Sequence, residues 1–350
     1  MVNRVTLVDV AALAGVSLAT ASRALNGSPG RTVRTDLAER VLRAATELGY
    51  SADANAQAMA RGTTMTVGLV VHDIADPYAA AIASGVMAAA AARGLIVTIA
   101  STLSDAAAEI RHVQALRRQR ASAVILTGSR FADEAATAAL AEQLAAITAG
   151  GGHVAAIGQD RLGVATVAID NVGGASKLAT VLHTLGYRTF AVLAGPEQLL
   201  TSEDRLAGFR DGLASCGLQL PPENIVGTQF TRDGGYVAMT ELLDRDLDVQ
   251  AVFAVNDVMA VGAMAALREQ GHRLPQDIAL AGFDDITTLR DVRPSLTTVR
   301  IPLVDIGRQA LELALDSAAS AAPQVVMVSG DVVVRASTPA RPRLSADADE

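Results

Sequence analysis

The sequence of 350 residues predicts a small all-helical domain followed by a larger, two-lobed α/β domain. Residues 7–26 read as two short helices around a tight turn, and residues 33–48 continue as a third amphipathic helix. From residue 65 onward, short apolar runs alternate with amphipathic helices, which is typical of parallel sheets. This alternating series occurs twice, and two lobes accommodate it.

The first two helices are expected to meet at Gly15 in a helix-turn-helix arrangement. Val10, Ala11 and Leu13 should form the buried side of the first helix. A glycine after them can adopt the left-handed backbone that a sharp turn needs, and Ser17 can cap the second helix. The exposed face of the second helix suits a DNA major groove. That face comprises Leu18, Ala19, Ser22 and Arg23, with Thr20 and Asn26 beside them.

This stretch resembles the DNA-binding domain of the LacI/GalR family of bacterial regulators. The resemblance lies in VTLVDVAALAGVS followed by ATASRALN, although Ala21 and Ala24 stand where the family more often has valine. It implies that the second helix binds an operator in the DNA. The residues expected to contact DNA are Thr6, Ser17, Leu18, Ala19, Thr20, Ser22, Arg23, Asn26 and Met59.

The segment 51–64, SADANAQAMARGTT, connects the helical domain, residues 1–50, to the rest of the chain. By composition alone it is a flexible linker. The resemblance instead implies a short hinge helix that orders on DNA, pairs with its twin and inserts Met59 between base steps of the minor groove. Ala52, Asp53 and Asn55 depart from the family at this segment, so both interpretations stay open.

The charge distribution favours a dimer on DNA. Residues 1–62 contain seven arginines and five acidic residues, whereas residues 63–350 contain 22 basic and 32 acidic residues. Only the first segment can approach phosphates, and its small positive charge favours two copies acting together. Helix-turn-helix dimers bind palindromic half-sites about 34 Å apart. We therefore expect a homodimer on double-stranded operator DNA.

The remaining chain is predicted to form the two lobes and a tail. Lobe 1 is expected at about residues 65–167 and 298–324, and lobe 2 at about 168–297 and 325–336. Residues 337–350, rich in proline, alanine and aspartate, should be disordered. The predicted strands are 67–71, 96–100, 123–126, 154–157, 190–193, 225–227, 252–255, 278–282, 325–328 and 332–335.

Several stretches of this larger domain also resemble the LacI family. They are IADPY at 74–78, AIDNVGG at 168–174, DRLAGF at 204–209, FAVNDVMAVGAM at 253–264, AGFDDI at 281–286 and PSLTTVR at 294–300. The resemblance implies a periplasmic-binding-protein-like fold with a small-molecule effector between the lobes. Parallel sheets bind ligands at the carboxyl ends of their strands, which agrees with such a cleft.

The resemblance also implies which residues bind the effector. Arg205 and Asp284 would supply a fork-shaped donor and a carboxylate acceptor, which suit vicinal hydroxyls. Asp257 is equally well explained as a helix cap, and Leu199 stands where nucleobase-binding members have arginine. A sugar or sugar derivative is therefore favoured. The predicted effector contacts are Tyr78, Ser129, Gln159, Asp170, Thr201, Arg205, Phe230, Asn256, Asp257 and Asp284.

Other classes of protein fit the sequence poorly. The loop HDIADPY lacks the glycines of a dinucleotide site, and neither a nucleophile elbow nor a phosphate loop occurs. The five histidines lack metal-ligand spacing, so we expect no catalytic residues, metal or cofactor. A single cysteine, Cys216, and the lack of an export signal or membrane span favour the cytoplasm.

The sequence thus predicts a dimeric, ligand-responsive transcriptional regulator, specifically a repressor of carbohydrate-related genes. The alternative is a free-standing sugar-binding receptor without a role on DNA, and the helical domain argues against it.

Overall fold

The computed structural model describes residues 5–26, 33–50, 63–316 and 322–341. The chain divides into two compact units, residues 1–65 and residues 66–350. The predicted hinge segment, including Met59, falls largely outside the described residues, as do residues 342–350.

The described residues of the first unit form three helices, and a tight turn joins the first two. Thr6 opens the first helix by donating from its backbone nitrogen and its hydroxyl to Asp9, at 2.8 and 2.7 Å. Gly15 ends that helix with φ 63°, in the left-handed region. The hydroxyl of Ser17 then accepts from the backbone nitrogen of Thr20 at 3.1 Å and caps the second helix. The helices are α1 (Leu7–Ala14), α2 (Leu18–Asn26) and α3 (Thr35–Glu47).

The buried face of α1 differs from the predicted one at a single position. Leu13 is 47% exposed, and Ala14 takes its place in the core. The reason is helical phase: at about 100° per residue, Val10, Ala14 and Ala11 lie within an arc of about 100° around the helix, and Leu13 falls outside that arc. Arg40 of α3 donates to the carbonyl of Ala14 at 2.5 Å, so α3 also satisfies the end of α1.

The first lobe of the second unit is a six-stranded, all-parallel sheet with the order β11-β5-β4-β3-β1-β2. Its strands are β1 (Thr66–Val71), β2 (Ile96–Ser101), β3 (Ala123–Thr127), β4 (His153–Gly158), β5 (Ala165–Ile169) and β11 (Val325–Val328). Its helices are α4 (Pro77–Ala91), α5 (Ala106–Arg118), α6 (Glu134–Ala149) and α11 (Leu303–Asp316).

The second lobe is also six-stranded, with the order β12-β10-β9-β8-β6-β7, and only β12 is antiparallel. Its strands are β6 (Phe190–Ala194), β7 (Ile225–Gly227), β8 (Ala251–Ala254), β9 (Ala279–Asp284), β10 (Thr297–Arg300) and β12 (Asp331–Val333). Its helices are α7 (Asn171–Thr184), α8 (Leu200–Ser215), α9 (Arg232–Asp244) and α10 (Asp257–Glu269).

The lobe boundaries differ from the predicted ones because two strands were missed. Neither β5 nor β10 was among the predicted strands. The chain therefore crosses between lobes after β5, after β10 and after β11. As a result, β10 belongs to lobe 2 and β11 to lobe 1, the reverse of the expected assignment. Helix α8 also begins five residues earlier than expected, at Leu200.

Close helix crossings hold the layers together. Gly85 of α4 faces the backbone of α11, and a Cβ there would lie 1.9 Å from the carbonyl oxygen of Val304. Gly307 of α11 faces α4 in the same way, 2.1 Å from the carbonyl oxygen of Ile82. Such contacts are closer than any side chain permits, so glycine is needed at both positions. The alanine-rich sequence of α4 also lets the two backbones approach.

The tail is ordered further than predicted. Ser337 and Thr338 are fully buried, although disorder was expected from residue 337. The hydroxyl of Ser337 accepts from the backbone nitrogen of Thr297 at 2.8 Å and donates to the carbonyl of Leu280 at 2.6 Å. Composition alone missed this segment because its hydrogen-bond partners lie about 40 and 57 residues away in sequence.

We expect Ser337→Ala to destabilise the second unit. The substitution leaves a buried amide and a buried carbonyl unpaired, which costs about 1–3 kcal/mol of the free energy of unfolding. Urea unfolding of the full-length protein measures the loss. Ser215→Ala is the matched control, because that exposed hydroxyl bonds only within its own helix, apart from a weak contact with Cys216. Equal midpoints for both variants would show that the buried hydroxyl of Ser337 adds nothing to stability.

Candidate functional site

The carboxyl ends of both sheets face one cleft of about 750 Å³. In parallel sheets the loops that follow the strands gather at this edge, and the helices that come next begin there. Side chains from widely separated parts of the chain therefore meet between the lobes. Seven of the ten predicted effector contacts line the cleft: Tyr78, Ser129, Thr201, Arg205, Phe230, Asn256 and Asp284.

Arg205 is the centre of the lobe-2 wall. It lies in the second turn of α8 and is only 2% exposed. Its guanidinium donates from Nε to Asn171 at 2.9 Å, from Nη1 to the carbonyl of Val255 at 2.7 Å and from Nη2 to Asp284 at 2.8 Å. The ring of Phe283 stacks beneath it, 3.8 Å from the guanidinium carbon. Three of its five N–H groups are thus used inside the protein.

Asp284 ends β9 and carries the matching charge. Its φ of 116° lies in the left-handed region, a conformation that costs energy in a residue with a side chain. Burial raises the pKa of Asp284 to about 6, while the neighbouring Arg205 charge opposes the rise. Arg205 engages Oδ1, so among the described residues Oδ2 has no donor and remains an acceptor.

Lobe 1 contributes an aromatic side chain held by a helix cap. The carboxylate of Asp76 accepts from the backbone nitrogen of Tyr78 at 2.9 Å, which fixes the start of α4. The other oxygen of Asp76 lies 3.0 Å from Nε2 of His72. Burial and the charge of Asp284 raise the pKa of Tyr78, so its hydroxyl stays protonated and can donate or accept.

Three predicted contacts join the lobes to each other. The hydroxyl of Ser129 in lobe 1 accepts from the backbone nitrogen of Thr201 at 3.1 Å. Gln159, also in lobe 1, donates from Nε2 to the hydroxyl of Thr201 at 2.9 Å. Beside them Phe131 and Leu199 form an isolated antiparallel bridge. Gln159 does not line the cleft, and its Nε2 serves the contact between lobes, whereas its buried Oε1 has no hydrogen-bond partner among the described residues.

The face of α2 expected to contact DNA is accessible. Ser17, Leu18 and Ala19 are exposed, and Thr20, Ser22 and Arg23 are half-buried. Thr6 uses its hydroxyl in the cap of α1. The side chain of Asn26 and all of Met59 lie outside the described residues.

Comparison with known proteins shows to which family the chain is similar. Residues 6–53 match the model for bacterial regulatory proteins of the lacI family, and residues 179–338 match a periplasmic binding protein-like domain. The transcriptional regulator GalR of Escherichia coli is 36% identical over 342 residues, which cover 97% of each chain.

Two solved structures are similar over almost the whole chain. The complex of the regulator CelR with cellobiose is 33% identical, with a TM-score of 0.70, and covers 95% of this chain and all of that one. The lac repressor dimer bound to operator and the anti-inducer ONPF is 26% identical, with a TM-score of 0.82, and covers 97% and 100%. The chain belongs to the LacI family. It is therefore a DNA-binding transcriptional regulator with a periplasmic-binding-protein-like domain, and not an enzyme.

Two further predicted effector contacts of this LacI-family regulator, Asp170 and Asp257, lie outside the cleft lining and bond to other parts of the protein. Asp170 caps α7 by accepting from the backbone nitrogen of Gly173 at 2.8 Å and lies away from the cleft lining. Asp257 is fully buried and accepts from the hydroxyl of Thr298 at 2.7 Å and from the backbone nitrogen of Ile286 at 3.1 Å. The predicted helix cap is wrong for Asp257, because Asn256 caps α10 by accepting from the backbone nitrogen of Met259 at 2.8 Å. The two bonds of Asp257 instead join α10 to β10 and to the residues after β9.

Sequence reasoning missed several residues that line the cleft. Asn171 bonds Arg205, although only its neighbour Asp170 was predicted as a contact. Glu109 and Arg130 form a two-bond ion pair in the lobe-1 wall, at 2.8 and 3.0 Å. Arg130 follows Ser129 after β3, so extending the strand-end rule by one residue would have included it.

The described part of the chain contains no group of three or more histidine, cysteine or acidic side chains placed to hold a metal ion. Among the same residues, no single helix is long and apolar enough to cross a membrane. Helix α1 and the start of α2 reach that length and apolar composition only when taken together, and they are bent by 104° relative to each other.

We expect Asp257→Asn and Asp257→Ala to differ. Asparagine can still accept from Ile286 and can donate to the Thr298 hydroxyl, and it removes a buried carboxyl whose pKa burial raises well above the usual range. Alanine leaves both partners unpaired and should cost about 1–3 kcal/mol of unfolding free energy. Urea unfolding compares the two. Equal destabilisation by both substitutions would contradict the hydrogen-bonding role.

Proposed function

We propose that this LacI-family regulator is a repressor of carbohydrate-related genes that binds a palindromic operator as a homodimer and responds to a sugar in its cleft. Its DNA target and a metabolite effector meet in the bacterial cytoplasm, where we expect it to act. The observation that carries the ligand class is the buried cluster of Arg205, Asp284 and Asn171 at the edge of the cleft.

A sugar suits this cluster chemically. The unused N–H groups of Arg205 donate, and Oδ2 of Asp284 accepts, which matches a pair of neighbouring hydroxyls. Tyr78 and Phe230 add ring faces to the lining, against which the C–H face of a sugar can pack. The similar regulator CelR has been solved with cellobiose. We infer a polyhydroxylated effector, held by the seven predicted residues that line the cleft.

The charge of the cleft favours a neutral ligand. Seven carboxylate side chains line it, against three arginines. Arg130 and Arg205 are already paired with Glu109 and Asp284, so neither is free to neutralise an anion. A phosphorylated sugar would meet an excess of negative charge, and we therefore infer an unphosphorylated one.

The operator contacts proposed for α2 rest on its exposed face and on the positive charge of the first unit. Leu18 and Ala19 offer apolar contact to thymine methyls, and Arg23 offers a fork to guanine. The similar lac repressor has been solved as a dimer on its operator. A dimer also agrees with strand β2 at the edge of its sheet, where Ile96 is 70% and Ile99 is 37% exposed.

Coupling between cleft and DNA would pass through the lobes. Thr201 is bonded to both Ser129 and Gln159 of the other lobe. A ligand that changes the angle between the lobes therefore acts on these two hydrogen bonds. Such coupling is reciprocal, since operator binding must change effector affinity by the same factor.

We expect Arg23→Ala to weaken operator binding by about 1–3 kcal/mol if Arg23 contacts a base edge. An operator selected from random DNA with the wild-type protein serves as the probe, and electrophoretic shift gives the affinity. Arg43→Ala, which removes the same charge from an exposed position on α3, is the control and should have a smaller effect. Equal losses would reduce Arg23 to a general electrostatic role.

We expect Asp284→Asn to weaken sugar binding at least tenfold while operator binding persists. The substitution keeps the shape and the bond from Arg205 but removes a charged acceptor from the cleft. Because the pKa of Asp284 is about 6, wild-type affinity should also fall as the pH is lowered from 7 to 5, and the variant should lack this step. Arg205→Ala is a poorer probe, since it breaks three internal bonds.

Calorimetry with a sugar panel, together with operator titrations with and without sugar, measures both effects. Asp257→Asn is the matched control, because that carboxyl lies outside the cleft and should leave sugar affinity unchanged. If Asp257→Asn and Asp284→Asn behave alike, the cleft assignment is wrong.

A further inference from the structure

The cleft extends well beyond the Arg205 cluster. In lobe 1 it continues between helices α5 and α6 as a recess that we call the lobe-1 bay, lined by Glu109, Ile110, Arg130, Ala136, Thr137 and Leu140. None of these residues was among the predicted effector contacts. The bay is continuous with the cleft, so a ligand on the Arg205 cluster can reach into it.

The strand order gives the length of the cleft. Asn171, which bonds Arg205, follows β5, whereas Leu103 and Asp105, which also line the cleft, follow β2. Four steps of about 4.8 Å separate β5 from β2, so the lining spans roughly 19 Å. A single pyranose ring is far shorter than this. One ring on the Arg205 cluster would leave the bay unfilled.

The chemistry of the bay suits a second sugar ring. Ile110, Ala136 and Leu140 provide an apolar surface. Glu109 and Arg130 lie beside them as a two-bond ion pair whose side chains are 17% and 14% exposed. A purely apolar group would strip water from these charges without replacing its hydrogen bonds. A ring with an apolar C–H face and a rim of hydroxyls satisfies both kinds of surface.

We propose that the effector is a neutral saccharide of at least two rings, with one ring on the Arg205–Asp284 cluster and the next in the lobe-1 bay. This proposal rests on the sugar-responsive function proposed above and names its substrate class. The paired charges of Glu109 and Arg130 then select a hydroxylated second ring over an apolar substituent. The bay thereby sets the length of ligand to which the regulator responds.

Calorimetry on the full-length protein compares monosaccharides with the disaccharides that contain them: glucose with cellobiose and maltose, and galactose with lactose and melibiose. At least one disaccharide should bind ten or more times as tightly as its constituent monosaccharides. A monosaccharide that binds as tightly as every disaccharide containing it would overturn the proposal.

The second part of the test fills the lobe-1 bay with a larger side chain. Ala136→Phe places a ring in the bay without removing a hydrogen bond, and it should lower affinity for the selected disaccharide at least tenfold while leaving the monosaccharide affinity unchanged. Ala138→Phe makes the same change on the exposed side of α6 and should alter neither. Thermal unfolding and operator binding verify that each variant is folded, and Ala136→Leu is the smaller replacement if Ala136→Phe fails that test.

The outcomes separate this inference from the function on which it rests. If Asp284→Asn weakens sugar binding but Ala136→Phe and Ala136→Leu leave the disaccharide affinity unchanged, the bay does not hold the second ring and only this inference fails. If no sugar of the panel binds the wild-type protein, the proposed sugar response itself fails.

Discussion

The rest of the cleft depends on one buried charge, that of Arg205. A guanidinium that is 2% exposed has lost nearly all its water, and such a charge is tolerated only where paired groups replace that water. The replacements come from Asn171 at the start of α7, the carbonyl of Val255 after β8 and Asp284 at the end of β9. Satisfying one side chain therefore fixes the relative positions of three strand ends. It also leaves a few oriented donors and acceptors facing the ligand.

The second consequence of this architecture is that the lobes can respond together. Three chain crossings join them, and Thr201 adds hydrogen bonds to Ser129 and Gln159 on the opposite lobe. Residues that family resemblance implied as ligand contacts thus also hold the two lobes to each other. In the proposed function, a bound sugar would share this small set of side chains with the contact between lobes, which would give a direct physical route from the ligand to the angle between the lobes.

The two functions of the chain are separated by charge as well as by fold. The seven arginines and five acids of residues 1–62 make the helical unit the part that can approach phosphates. The rest of the chain has ten more acidic than basic residues, and the cleft shares that excess. Negative charge suits a cleft for a neutral, hydroxyl-rich ligand and keeps the larger unit from binding DNA non-specifically.

The sequence by itself determined the helix-turn-helix, the alternating α/β pattern and the presence of Arg205 and Asp284 in the cleft. These features could be predicted because helical spacing, capping residues and family motifs are local in the chain. Tertiary structure alone decided which strand joined which lobe. The lobe of β5, β10 or β11 depends on the neighbouring strand with which it pairs, and its own residues do not show that neighbour. It also decided that Asp257 bonds Thr298, that Ser337 is buried and that Glu109 meets Arg130. These facts depend on partners 21 to 57 residues away, and no local pattern encodes such pairings.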